Sequence, residues 1–305
     1  MQSKKEFKTY QEQISFLEKK GLKFIDQNKA VEYLKRYSYY SLVSGYKDIF
    51  IDKSTGRYTN KYFEDIVALY LFDEFIRNIF LFEIIKIEQH IKSLYSYSFC
   101  SLYGDTQSDY LNVNNYNYKK YQNEIKEFIS KVNGILSHSN NYKYINHYVT
   151  KYSDVPLWVL IKSLTFGSLS KMYTFSNQKL QSRIAHEFDY IYDTHLSTIL
   201  AVLTKFRNVC AHGERLYNYK TNNSIRKLPI HNKIFGYTPK CRNDLFNVYL
   251  SFKYLLNEFD FSQLSKNLQD LLDGFKEKLG DEYTNKVLSA MGFPKNWRDA
   301  ETLSK

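Results

Sequence analysis

The sequence predicts an all-α protein built from many helices, and three observations carry that reading. Only 11 Gly and 4 Pro occur among 305 residues, against 29 Tyr and 22 Phe, a balance that favours long helices over a turn-rich β architecture. Hydrophobic residues make up 43% and charged residues 25%, so the chain can bury a substantial core and does not read as disordered. The apolar residues also recur at helical spacing. In the run LSTILAVL, Leu196, Ile199, Leu200 and Leu203 fall on one stripe.

Taken in order, residues 8–50 read as three short helices. The first, 9–21, stops at Gly21, and the second follows Asp26, a good N-cap. The third lies in KRYSYYSLVSGYKDIF, 35–50, whose aromatic cluster reads as packing. DKSTGRYTN, 52–60, is turn-rich and makes the first break. From Asn60, a candidate cap, helical periodicity runs to about Tyr103, with Gly104 closing it. A run of that length is long for one helix, so a bend or two antiparallel pieces is expected. Its greasiest part, 66–85, carries Asp73, Glu74, Arg77 and Glu83, so it reads as a buried helix and not a membrane span. Glu88 and Lys92 read as a surface i,i+4 pair.

Residues 105–118 are rich in Asn and Asp and read as a loop, followed by a helix over about 119–135. SHSNNYKYINHY, 137–148, reads as irregular and basic, and His138 and His147 have no acidic or thiol partners at ligand spacing. In 155–175, Pro156 suits a helix first turn, and Gly167 marks a break or a close helix approach. A helix near 178–187 leads to the one ending at Gly213, which sits where a helix C-cap is expected. Residues 219–240, with Pro229 and Pro239, read as irregular, and helices over about 241–257, 262–279 and 282–290 finish the chain. The organisation divides as an N-terminal helical segment, 1–51, and a helical domain, 52–305, or is one continuous domain over 1–305.

Cys100, Cys210 and Cys241 are too widely spaced for a disulfide framework or a zinc site. The start, MQSKKEFKTYQEQ, lacks the apolar core of a secretion signal. Together these give the expectation of a soluble, cytoplasmic protein without a membrane partner.

The candidate site is KFRNVCAHGERLYN, 205–218. At about 100° per residue, Asn208 and His212 share a helix face about 40° apart, while Arg207 stands about 140° from His212 and must bend round to reach it. R-N-x-x-x-H, here Arg207-Asn208-Val209-Cys210-Ala211-His212, resembles the signature of HEPN ribonucleases, all-helical proteins that cut RNA without a metal. Three further blocks resemble the Abi-like (abortive infection, AbiD/AbiF-type) branch of that group: Tyr39-Tyr40 with Ser44-Gly45-Tyr46; FDEFIRNIFLFEIIKIEQHIKSL with Arg77, Glu88 and His90; and Pro156-x-Trp158 with Thr165-Phe166-Gly167-Ser168-Leu169-Ser170. The resemblance implies a HEPN-type helical bundle with extra N-terminal helices and an irregular basic segment after the motif helix. It implies a toxic ribonuclease effector of antiphage defence, with Arg207, Asn208 and His212 as catalytic residues and no metal or cofactor.

The chemistry of those side chains suits that role. RNA carries its own nucleophile, the 2′-OH, so an enzyme need only align the phosphate, move protons and neutralise charge. A His carries protons near neutral pH, and an Arg fork meets phosphate oxygens. Net charge is +11, and 205–242 holds nine basic residues, Lys205, Arg207, Arg215, Lys220, Arg226, Lys227, Lys233, Lys240 and Arg242, against the single acid Glu214. AT-rich codon usage raises Lys, Asn, Tyr, Ile and Phe across a whole chain but does not cluster charge in this way. Lys205, Arg215, Lys220, Arg226 and Lys227 are therefore candidate RNA contacts, with Tyr217 placed to stack on a base.

General acid–base work supplies only ~10²–10⁴-fold, and one His with one Arg is a thin set. The one other match to R-x(4–6)-H, Arg226 to His231, lacks the Asn and carries Pro229 where a helix would be needed, so it reads as chance. A homodimer presenting two copies of the motif is the economical expectation. Two other readings stand beside it. One is a non-cleaving RNA-binding module held by a small regulatory non-coding RNA. The other is a toxin controlled by modification of Tyr217 or a nearby hydroxyl.

Overall fold

The computed structural model describes residues 6–237 and 239–305. The first five residues, read above as part of the polar start, and Thr238, within the segment read as irregular, lie outside the described residues. Among the described residues the fold is all-α apart from one two-residue parallel ladder, β1 (Leu22–Lys23) against β2 (Lys61–Tyr62), and the isolated bridges Ile51–Tyr58 and Tyr116–Ser176.

Helix α1 (Tyr10–Lys19) starts at Thr9, whose hydroxyl accepts from the Glu12 amide, while Glu12 accepts from the Thr9 amide. Helix α2 (Gln27–Tyr37) starts at Asp26, which accepts from the Asn28 and Lys29 amides as its sequence position predicts. The third N-terminal helix is a π-helical turn, Tyr40–Ser44, followed by a 3-10 turn, Lys47–Ile49. Helix α3 (Phe63–Tyr103) runs 41 residues without the expected break. Asn60 does not cap it; β2 intervenes, and the Tyr62 amide bonds the Asp65 carboxylate at 2.9 Å.

Then follow α4 (Gln107–Tyr110), α5 (Gln122–Ser137), α6 (Lys143–Tyr152), α7 (Leu157–Leu160), α8 (Phe166–Phe175), α9 (Gln178–Ala185) and α10 (Asp193–Ala211). The stretch 137–148, read as irregular, holds a 3-10 turn at Ser139–Asn141 and then enters α6, with Ile145 buried on its inner face. The chain closes with α11 (Pro229–Phe235), α12 (Leu245–Leu255), α13 (Glu258–Met291) and α14 (Asp299–Thr302). Helix α13 kinks at Gly280, φ 78°, where the sequence places a gap between two helices. Segment 219–240 is not wholly irregular, since Pro229 opens α11 from its first turn.

One apolar cluster extends from Ile14 to Ala300. Helix α3 is its axis, touching α10, α9, α7 and α13; Phe72 meets Phe275 at 4.4 Å, and Lys86 pairs with Asp260 at 2.8 Å. Glu88 and Lys92, expected on the surface, are both buried and paired at 2.8 Å. No helix of the described residues is long and apolar enough to cross a membrane.

Candidate functional site

Helix α10 is held by the stripe its spacing predicts. Leu196, Ile199, Leu200, Leu203 and Phe206 are all fully buried among α3, α8, α9 and α12, each worth about 1.5–3 kcal/mol of burial. The approach to α8 is close, since a Cβ on Gly167 would stand 3.4 Å from Thr204. The helix ends in a Schellman motif: the Gly213 amide bonds Cys210 O at 3.3 Å and the Glu214 amide bonds Val209 O at 3.0 Å, with Gly213 at φ 66°. His212 is the capping residue, and its imidazole is exposed.

The segment leaving this cap is anchored on one carboxylate. Asp73 of α3 accepts the Leu216 amide at 3.0 Å, the Tyr217 amide at 2.6 Å, the Tyr46 hydroxyl at 2.6 Å and the Arg77 guanidinium at 2.6 Å. Arg77 also donates to Glu214 O at 3.3 Å. Burial pushes the Asp73 carboxyl up from the usual carboxylate range, and the four donors pull it back. Burial, with Asp73 beside it, holds the Tyr46 phenol well above its ordinary value, so it acts as a donor. Three separate sequence blocks therefore meet here: S-G-Y through Tyr46, the α3 block through Asp73 and Arg77, and the residues just past His212.

His212 and Asn208, though on one exposed face, line different hollows. His212 borders a cleft of about 420 Å³ with Tyr40, Ser41, Ser44, Tyr70, Glu214 and Arg215. Asn208 and Lys205 border a groove of about 420 Å³ with Lys131, Lys171, Ser168 and Asn223, and Glu124 and Glu127 on its rim. Lys131 donates to Ser168 Oγ there at 2.6 Å. Arg207 is half-buried, with its Nε sealed and without a hydrogen-bond partner. Among the described residues no hydrogen bond joins the Arg207, Asn208 and His212 side chains.

The remaining candidates separate by exposure. Lys205, Lys220, Arg226 and Lys227 are exposed and make no ion pair among the described residues. Arg215 is half-buried, donates to Gly45 O and lies 3.8 Å from Asp48. Tyr217 corrects the sequence reading: it is 1% exposed, stacked on Tyr46 at 5.9 Å, with its hydroxyl pushed up to about 12 by burial. Its ring is packed under the fold and is not presented to a base. Cys210, inside the motif, is buried and its thiol is pushed up to about 12, which makes it packing and not a nucleophile. His231, of the chance second match, is fully buried; its Nδ1 accepts from the Leu228 amide at 2.8 Å, so its Nε2–H donates to Asn247 at 2.9 Å. Among the described residues no group of three or more His, Cys, Asp and Glu is placed to hold a metal ion.

Sequence reasoning missed Tyr40, Ser41 and Ser44 as neighbours of His212, and Lys131 and Lys171 as neighbours of Asn208. Only the fold brings these residues to the motif. Asp73 did carry a local signal: with Arg77 it is an i,i+4 pair set in an apolar stretch.

The fold and site define an all-helical protein that presents a polar motif on the capped end of a buried helix. The family model for Abi-like proteins matches residues 32–218. The chain belongs to that family, which points to a role in abortive infection. The match includes all four blocks and ends one residue past Tyr217. No curated protein and no solved structure matches the chain.

Proposed function

We propose that this protein is a metal-independent endoribonuclease of the HEPN type, the toxic effector of an antiphage abortive-infection system, active as a homodimer. The observation that carries the reading is His212: an exposed imidazole on a backbone fixed by a Schellman cap and the Asp73 anchor, opening onto a cleft that Arg215 also borders. In the reaction the 2′-OH attacks the adjacent phosphorus, its proton passes to a base, and the P–O5′ bond breaks as O5′ takes a proton. The products are a 2′,3′-cyclic phosphate and a 5′-OH end. His212 serves as acid or base. Arg207, whose sealed Nε leaves only the far end of its guanidinium to meet a phosphate, stabilises the charge on the phosphorane-like transition state, and Asn208 orients the ribose.

One motif per protomer supplies one imidazole, so two copies across a twofold axis furnish both acid and base. RNA incubated with the purified protein should yield 2′,3′-cyclic phosphate ends, and His212→Ala should cut by ~10²–10⁴-fold more slowly with fold and assembly unchanged. Undiminished cleavage by that variant would remove the mechanism. RNA that co-purifies uncut with the wild type would instead favour the non-cleaving module held by a small RNA, a reading the unpaired Lys205, Lys220, Arg226 and Lys227 equally suit.

A further inference from the structure

We propose that the cleft beside His212 is a nucleobase subsite in which Tyr40 stacks on an unpaired base next to the scissile phosphate. This rests on the ribonuclease reading and adds the feature of the substrate that the site recognises.

The sequence reads Tyr39, Tyr40 and Tyr46 alike, as packing. The structure separates them. Tyr46 is 2% exposed and bonded to Asp73, and Tyr39 is half-buried, whereas Tyr40 is 82% exposed. Among the described residues its ring has no aromatic or cationic partner. Tyr40 nevertheless borders the cleft that holds His212, with the hydroxyls of Ser41 and Ser44 beside it. The cleft's volume, about 420 Å³, falls within the range of small-ligand sites.

The backbone that presents Tyr40 is unusual in two ways. Residues Tyr40–Ser44 form a π-helical turn in which the Gly45 amide reaches back to Tyr40 O, a conformation concentrated at functional sites. Just before it, Ser38 lies at φ 61°, ψ 154°, a region populated almost only by glycine. The strained turn is pinned from beneath: Leu42 and Val43 are fully buried, Gly45 O accepts from Arg215, and Tyr46 bonds Asp73. Asp73 also holds the segment that follows His212. The backbone segments that carry the ring and the imidazole are thus fixed to a common support. An aromatic face so held accepts any base and asks only that the base be unpaired.

The test uses the full chain and a short single-stranded 2′-O-methyl oligoribonucleotide, which lacks the nucleophile, with 2-aminopurine placed at each position in turn. Wild type and Tyr40→Phe should bind alike and quench the probe at one position. Tyr40→Ala should lose the quenching and bind about 5- to 100-fold more weakly, with an unchanged melting temperature. Equal affinity and quenching for Tyr40→Ala overturn the proposal, as does a Phe variant no better than Ala. A Tyr40→Ala variant that changes oligomeric state but not RNA affinity assigns the ring to a contact between copies and overturns it too. If the wild type binds no RNA, the ribonuclease reading itself fails.

Discussion

A carboxylate with no exposed surface, surrounded only by donors, is costly to disturb. Asp73 is such a group: it joins α3 to the S-G-Y turn and to the segment after His212. Asp73→Asn keeps the shape but turns an amide N–H₂ towards a site where, of the four donors, only the Tyr46 hydroxyl can also accept, and leaves the buried Arg77 guanidinium without its counter-charge. A loss of about 3–5 kcal/mol is expected, read from the urea midpoint, with RNA cleavage falling further than residual folding explains because His212 loses its anchor. At this scale the sequence was legible where chemistry is local, as in the Asp26 cap of α2 or the Gly213 cap that ends α10. It misled where a side chain's direction depends on distant chain. Tyr217 sits between basic residues and looked outward, yet its amide is drawn to Asp73 and its ring lies under Tyr46.

At the scale of elements, apolar spacing located the longer helices but not α4, α6, α11 or α14, and glycine marked the ends of α1, α3 and α10. Gly213 takes φ 66°, and a Cβ added there would have nothing within 4 Å, so Gly213→Ala meets no clash and costs only the left-handed penalty. That is about 1–2 kcal/mol, measurable by thermal unfolding, with fraying confined to the last turn of α10 by amide exchange. What spacing could not supply was the effect of one element on another. Helix α3 stays continuous because α10, α9, α7 and α13 hold it along its length, while a single stripe through Phe75, Phe82, Ile85 and Tyr97 faces outward. Its start is delayed to Phe63 because Lys61 and Tyr62 pair with Leu22 and Lys23, a partnership formed across an intervening helix.

For the whole molecule, two histidines couple stability to pH. Burial lowers the pKa of His231 and of His195 below their ordinary 6.5. His195 Nδ1 accepts from the Tyr192 amide at 3.2 Å and Nε2 bonds Lys227 O at 3.0 Å, so it too is held neutral. A lowered folded-state value means that the unfolded chain binds more protons in the acid range. Their contribution is complete above pH 6.5 and shrinks as pH falls through 6.5 towards the folded values. The melting temperature should therefore drop between about pH 7 and 5, and His231→Gln should flatten part of that slope.

The family match stops at residue 218, yet every residue of α12 is buried, and the backbone of Thr221 and Ile225 is stitched to Asn243 and Arg242. The matched residues and the folded unit thus have different borders. The blocks around His212 lean on α12, which packs against α10 beyond the matched stretch, so removing the chain after residue 218 would uncover the back of the motif helix.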